Sequence, residues 1–371
     1  MINLFRLFKD FNAFLKLNEE DKKLVLFLEK QEDIIYFDRF LTDLFKIFKQ
    51  KIIILISNNN NLKYLEKLKY VEKVIYISDG LCRFLYFRLI KTKIFFLTTP
   101  DLGNSELKRS INDVKYFYVF HSIFSSHTIY NFKAFDNYDY ILSVGPHHDK
   151  EIKASEKIFK GTKKAIIPFG YPRLIDLNEK YKYRKSNQQK KSVLIAPTWG
   201  ESSITENCLE KIFQNLLNLN LNISFRPHPR SILEKYNFLK KMERKYHNYI
   251  NFQYDITSTK FLNTVDILIS DWSGFAFEFY FTTKKKIIFI DTPQKIRNIN
   301  FSRFNIIPLE QKLRPEIGTI LPIEKIEEIG QVINKSVINV NKTFNKDQFI
   351  YDYKKNFTSI RSTIKNILKD G

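Results

Sequence analysis

Arg226-Pro227-His228-Pro229 closes the apolar run Leu221-Asn222-Ile223-Ser224-Phe225, and Ser270-Asp271-Trp272-Ser273-Gly274 closes a later one, Val265-Asp266-Ile267-Leu268-Ile269. A residue that precedes proline is pushed toward extended backbone, so Arg226 and His228, two apart, project to the same side. Arg supplies a fixed fork of donors for phosphate oxygens, and His a donor whose charge adjusts near neutral pH. Both can reach one anion. The run Phe275-Ala276-Phe277-Glu278-Phe279-Tyr280-Phe281 predicts an apolar helix, which places Ser270, Ser273 and Gly274 at its start, where backbone N–H groups and the dipole favour an anion. Ser and Asp271 are also ordinary helix caps. Glu278 lies one turn past Gly274, placed to accept ribose hydroxyls or to sit solvated on the helix flank. A cation, an imidazole and hydroxyls at one edge of a parallel sheet make a binding place for a pyrophosphate, as in the donor pocket of a nucleotide-dependent transferase.

A third group lies earlier in the chain. His121 ends the run Tyr116-Phe117-Tyr118-Val119-Phe120 and is followed by Ser122, Ser125, Ser126 and His127. At a strand exit His121 is suited to act as a general base on an acceptor hydroxyl, the alternative being a loop histidine held by hydrogen bonds. His127 is a weaker copy. His147-His148-Asp149 does not predict a metal site, because adjacent residues on a helix diverge. There is no GxxxxGK[ST], GxGxxG, HExxH or Asp-x-Asp, so neither a cofactor nor a metal is expected, and catalysis should rest on fixed cations, dipoles and a base.

The elements that must carry these residues alternate between strands and helices. Strand-like runs are Leu24 to Leu28, Ile52 to Ser57, Val74 to Ser78, Lys93 to Leu97, Tyr116 to His121 and Tyr138 to Val144. A second series runs Ser192 to Ala196, Leu221 to Phe225, Tyr249 to Tyr254, Val265 to Ser270 and Ile287 to Asp291. Helix-compatible stretches between them predict an α/β protein with parallel sheets covered on both faces. Two such sheets whose strand exits face a central cleft would bring the turns at Gly145, Gly170, Gly200 and Gly274 together. Glu179 to Lys191 is polar and without apolar period, the best linker. The expected domains are residues 1–183, residues 190–345, and a helical segment 346–371 leaning back across both.

Composition limits the partners. The chain has 371 residues, 44% of them hydrophobic, and 61 Lys plus Arg against 40 Asp plus Glu, a formal +21 at pH 7. Its longest apolar stretches hold five residues, far short of the roughly 20 that cross a bilayer. No secretory signal is evident and Cys82 and Cys208 are the only cysteines, which suggests a reducing cytoplasm. The basic charges are scattered and no nucleic-acid motif accompanies them, so nucleic acid is not expected. An anionic membrane surface fits, at about 1 kcal/mol per juxtaposed Lys or Arg. Leu4, Phe5, Phe8, Phe11 and Leu15 at helical spacing, with Arg6, Lys9, Asn12 and Lys16 between, predict an amphipathic helix that packs on its own domain or dips into lipid headgroups.

In combination the motifs resemble the CDP-glycerol glycerophosphotransferase family: His121-Ser122, then Gly170-Tyr171-Pro172-Arg173-Leu174-Ile175-Asp176, Ala196-Pro197-Thr198-Trp199, Arg226-Pro227-His228-Pro229, and Ser270-Asp271-Trp272-Ser273 with Glu278. The resemblance covers roughly residues 90 to 345. It implies a GT-B fold of two Rossmann-like domains, a CDP-glycerol or similar nucleotide-linked donor, and a lipid-linked or polysaccharide acceptor in teichoic-acid-like or capsular polymer synthesis. It also implies a cytoplasmic enzyme held peripherally at the inner face of the membrane. Carried over, His121 is the base, with His228 also catalytic. Arg226, His228, Ser270, Ser273, Gly274 and Thr198 hold the pyrophosphate and Glu278 the ribose, and Ser122, Gly170, Arg173 and Asp271 line the cleft. Three positions depart from the family: Ser122 replaces its usual Gly, Gly200 follows Trp199 where it has Arg, and Gly274 follows Ser273 where it has a second Ser. The alternatives are a glycosyltransferase of the same fold using a CMP- or UDP-sugar, and a non-catalytic basic protein that binds membranes or nucleic acid.

Overall fold

The structure, a computed structural model, describes all residues except 1–10, 13, 15, 58–61, 105, 182–189, 256–257, 336–344 and 370–371. Most of the expected amphipathic helix at the start of the chain, and most of the expected linker, lie outside the described residues. The chain divides into two compact units. One comprises Met1–Arg173, Asn298–Phe304 and Asp347–Gly371, and the other Leu174–Arg297 and Asn305–Lys346.

The first unit is built on a sheet of β1 (Leu24–Leu28), β2 (Ile52–Ile56), β3 (Val71–Tyr76), β4 (Ile94–Leu97), β5 (Lys115–Val119), β6 (Tyr140–Ser143) and β7 (Ala165–Pro168). Its order is β3-β2-β1-β4-β5-β6-β7, with every pairing parallel. Leu24–Leu28 and Ile52–Ile56 are buried at every position, which is why they are unbroken apolar runs: helices cover both faces of the sheet. Phe40, on the helix Asp38–Phe48, meets Phe96 and Phe169 edge-on at 5.4 and 5.0 Å, clamping that helix to the sheet.

The second unit repeats the plan with β8 (Lys191–Ile195), β9 (Leu221–Phe225), β10 (Ile250–Phe252), β11 (Ile267–Ser270), β12 (Lys286–Asp291) and β13 (Thr319–Pro322). Its order, β10-β9-β8-β11-β12-β13, is again wholly parallel. The helix Gly274–Thr283 follows β11 and buries every residue from Ala276 to Thr283, as an all-round apolar helix must. In both sheets the order reverses beside the first strand, between β1 and β4 and between β8 and β11, and loops at that reversal are the usual ligand sites of open parallel sheets. Cys82 and Cys208 are both free thiols.

The last helix, Tyr353–Lys369, belongs to the first unit, and the segment before it is tied down by backbone. Tyr351 N donates to Val144 O at 2.9 Å, and Tyr353 packs edge-on against Phe169 at 5.4 Å. Gly145 and Gly170 make room for this return. A Cβ on Gly145 would run into the Phe349 carbonyl, and one on Gly170, where φ is +88°, into the Tyr351 carbonyl. Because backbone cannot yield as a side-chain tip can, Gly145→Ala should destabilise the protein by about 1–3 kcal/mol. The loss should register as a lower thermal midpoint together with faster proteolysis near residue 349; an unchanged midpoint would show that the return segment does not depend on that contact.

Candidate functional site

The two sheets put their strand exits on one edge each, and the chemistry-bearing residues collect there. In the first unit His121 lies just past β5 and is partly buried. Its Nδ1 is 2.7 Å from Thr98 Oγ1, its backbone carbonyl accepts from the Tyr171 hydroxyl at 3.1 Å, and its ring lies 5.7 Å from that of Tyr36. Burial pushes the imidazole down to about 4, only partly offset by a hydrogen bond to the Thr98 backbone, so the ring is neutral at pH 7. The Arg173 guanidinium stands 5.4 Å from the other neighbour of this cluster, the same Tyr36 ring. Thus His121 and Arg173 flank one tyrosine, and Gly170 turns the chain between β7 and Tyr171.

The segment after His121 is held from below by the helix Pro146–Phe159. Ser122 Oγ accepts from Phe124 N at 3.2 Å, closing a local turn. His147 Nε2 and His148 Nε2 pair with the Ile123 and Phe124 carbonyls at 2.9 and 2.8 Å. Glu151 accepts from Ser126 N and Ser126 Oγ at 2.6 and 2.7 Å and faces His127 Nδ1 at 3.1 Å. Burial pushes the Glu151 carboxyl up, but the hydrogen bond from His127 and the nearby imidazoles outweigh it and hold the group down at about 2. His127, His147 and His148 therefore position the loop, and among the described residues no group of His, Cys, Asp and Glu could hold a metal.

In the second unit the loops after β8, β9, β11 and β12 assemble around Thr198 and Trp199. Asp271 is fully buried and its two oxygens accept from Thr198 N at 2.7 Å and Ile204 N at 2.8 Å. Burial pushes its carboxyl up to about 6, against the pull of those two amides. Its role is to fix the β8 loop rather than to present a carboxylate. The Ser270 hydroxyl is likewise fully buried and donates to the Ala196 carbonyl at 2.7 Å, which directs its proton into the fold. Ser273 caps the helix Gly274–Thr283 with its backbone only, its side chain making no capping hydrogen bond. Glu278 lies one turn on and is buried.

Arg226 and His228 take separate surroundings. The Arg226 guanidinium lies between the Phe261 and Phe275 rings, 5.0 and 5.1 Å from their centroids, and is buried. His228 caps the short helix Pro229–Glu234, its Nδ1 accepting from Arg230 N at 3.1 Å, and its ring is 6.1 Å from Trp199. With Nδ1 so used, the neutral ring carries its hydrogen on Nε2 and acts as a donor there. Three cations that motif reasoning passed over gather on Trp199: Arg230, Lys295 and Arg297, at 4.0, 4.2 and 4.6 Å from the ring centroid. The signal available was Asp291-Thr292-Pro293-Gln294-Lys295-Ile296-Arg297, a strand exit, a proline and two cations at alternate positions.

Residues 121–296 match the family described as CDP-glycerol:poly(glycerophosphate) glycerophosphotransferase. No curated protein matches the chain at a significant level. Among solved structures, a UDP-GlcNAc 2-epimerase of Methanocaldococcus jannaschii, in complex with UDP-GlcNAc and UDP, aligns with a TM-score of 0.60 at 15% identity, over 94% of this chain and 100% of that one. The S. aureus protein MnaA, solved with UDP, gives 0.56 at 11% over 85% and 88%, and Anabaena HepE with UDP-glucose gives 0.52 at 10% over 94% and 100%. At such identities the likeness carries the fold alone, and with the two parallel sheets it makes this a GT-B protein. From His121 to Ile296 the chain is similar to the CDP-glycerol:poly(glycerophosphate) glycerophosphotransferase family, and that match supports a transferase.

Proposed function

We propose that the protein transfers a glycerol-phosphate or related polyol-phosphate unit from a CDP-linked donor to a hydroxyl of a lipid-linked or surface glycan, releasing CMP. His121 carries the reading: a strand-exit imidazole kept neutral by burial and pinned through Nδ1 to Thr98. With Nδ1–H donating to Thr98, Nε2 bears the lone pair a general base needs. His121 removes the acceptor proton, the acceptor oxygen attacks the outer phosphorus of the donor, and the bond from that phosphorus to the bridging oxygen breaks. CMP leaves with the electron pair and the negative charge. Arg226, His228, Thr198 Oγ1, Ser273 and the amide of Gly274 hold the two phosphates, and Glu278 takes the ribose hydroxyls. Ser270 and Asp271 keep the β8 and β11 loops in place for them, while Ser122, Gly170 and Arg173 shape the surroundings of the base. Fixed donors of this kind stabilise developing charge by several kcal/mol (about 3–4 per donor in measured cases).

The +21 formal charge suits a protein that works against an anionic membrane surface, where such acceptors are anchored. Among the described residues no helix is long and apolar enough to cross a membrane. The test is incubation of the full chain with CDP-glycerol and a lipid-linked saccharide. CMP release that depends on the acceptor is the expected result. UDP released from a UDP-sugar, or CMP from a CMP-sugar, with CDP-glycerol left intact would replace the donor; no nucleotide binding, with salt-sensitive binding to anionic vesicles, would remove the enzymatic reading.

A further inference from the structure

Trp199 is surrounded by more positive charge than the protein neutralises. Arg230 comes from the helix Pro229–Glu234 after β9, and Lys295 and Arg297 from the loop after β12, so three separate cations converge on one indole from two directions. Lys295 Nζ also donates to Thr198 Oγ1 at 2.8 Å. The carboxylates that face Lys295 are Asp271 and Glu234. The first already accepts two backbone amides, and the second is paired with Arg230 Nε at 2.7 Å. Aromatic faces attract cations but leave their charge intact, so the cluster is held open for an anion rather than satisfied by the ring.

We infer that Arg230, Lys295 and Arg297 form a cation clamp, seated on Trp199, that closes on the diphosphate group of the nucleotide donor. The inference deepens the reading of this site given above, and it names residues that the strand-exit motifs did not supply. Lys295 gives the clamp a further property. Burial pushes its ammonium down to about 7; Arg297 and Arg230 push the same way, while Asp271 and Glu234 oppose them. A diphosphate set among these groups adds negative charge and draws the proton back, so binding takes up a proton above neutral pH. A monophosphate brings less charge to the same cations, and the clamp therefore holds the donor more firmly than it holds the CMP that must leave.

The sign is fixed by linkage. Lys295 is charged below about pH 7 and loses its proton as pH rises through that value, so affinity for a diphosphate should fall by up to tenfold per pH unit above about 7. The probes are inorganic pyrophosphate, CDP, UDP and CMP, titrated calorimetrically into the full chain across that range. K295M should weaken pyrophosphate and CDP about ten- to a hundred-fold and CMP less, as expected for losing a charged phosphate donor. R297A, at an exposed position, should act in the same direction without disturbing the packed stem of Lys295. K295R should keep diphosphate affinity and abolish its pH slope, because guanidinium does not titrate here. The clamp is overturned if K295M and R297A bind pyrophosphate as the wild type does, or if K295R retains the slope. Diphosphate binding with the predicted slope but no turnover of CDP-glycerol upholds the clamp and removes the donor assignment. Conversely, K295M turning over CDP-glycerol with unchanged kcat/KM removes the clamp and leaves that assignment standing.

Discussion

His121→Ala should lower turnover by about 10²- to 10⁴-fold, the range associated with a positioned base, while donor affinity should stay within about two-fold. The asymmetry follows from place: His121 stands at the exit of β5 in the first unit, whereas the residues proposed to hold the phosphates belong to the second. Its pH dependence separates it from any other histidine. Since burial holds the ring near 4, the base form is present throughout the neutral range, and kcat/KM should rise with pH through about 4 and stay level until the fall above about 7 expected from Lys295. A rising limb near the ordinary imidazole value of about 6.5 would assign the base titration to another group. Thr98→Val, which removes the hydroxyl beside Nδ1, should lower kcat less than loss of the ring does and leave KM for the donor alone. Wild-type turnover by the His121→Ala variant would remove the residue from the mechanism.

Asp271→Ala strikes the second unit at its support. The carboxylate is the acceptor for the amides of Thr198 and Ile204, both buried, and each orphaned amide costs about 1–3 kcal/mol. Part of that is returned, because burial already disfavours the charge on Asp271. A net loss of about 2–4 kcal/mol is expected, seen as a lower denaturation midpoint. Asp271→Asn keeps one carbonyl oxygen and should lose about half as much. Diphosphate affinity should fall in step, since Thr198 and Trp199 ride on the loop those amides anchor. A midpoint equal to the wild type would show that the loop is held elsewhere.

The parallel sheets were legible because most of their strands are apolar on both sides. Ile52 to Ile56 and Leu24 to Leu28 could hardly be anything but central strands. What escaped were β7 and β13, four residues each, at sheet edges and ending in Pro168 and Pro322, where one flank needs no apolar partner. Polar Glu72 and Lys73 similarly hid the start of β3, which begins at Val71 rather than Val74. In the candidate site, proline spacing and strand exits pointed to His121, Thr198 and His228. Spacing could not show that the Ser270 hydroxyl and the Asp271 carboxylate brace backbone, bonded to the Ala196 carbonyl and to the Thr198 and Ile204 amides. Lys295 escaped for a different reason: its partner Thr198 lies 97 positions away, and only the sheet order brings them together.

The first unit is not continuous in sequence: the residues 349–353, whose backbone pairs with Val144 and fills the space above Gly145 and Gly170, are made after the whole of the second unit's sheet. At about 5–20 residues per second, a ribosome that has passed Arg173 needs roughly 10–35 s more to deliver them. During that interval the nascent amino-terminal sheet must wait with the turns after β6 and β7 uncovered, while the bulk of the other unit emerges and can close first. The first sheet is therefore made before the second yet completed after it, and the ends of β6 and β7 are what it leaves exposed meanwhile.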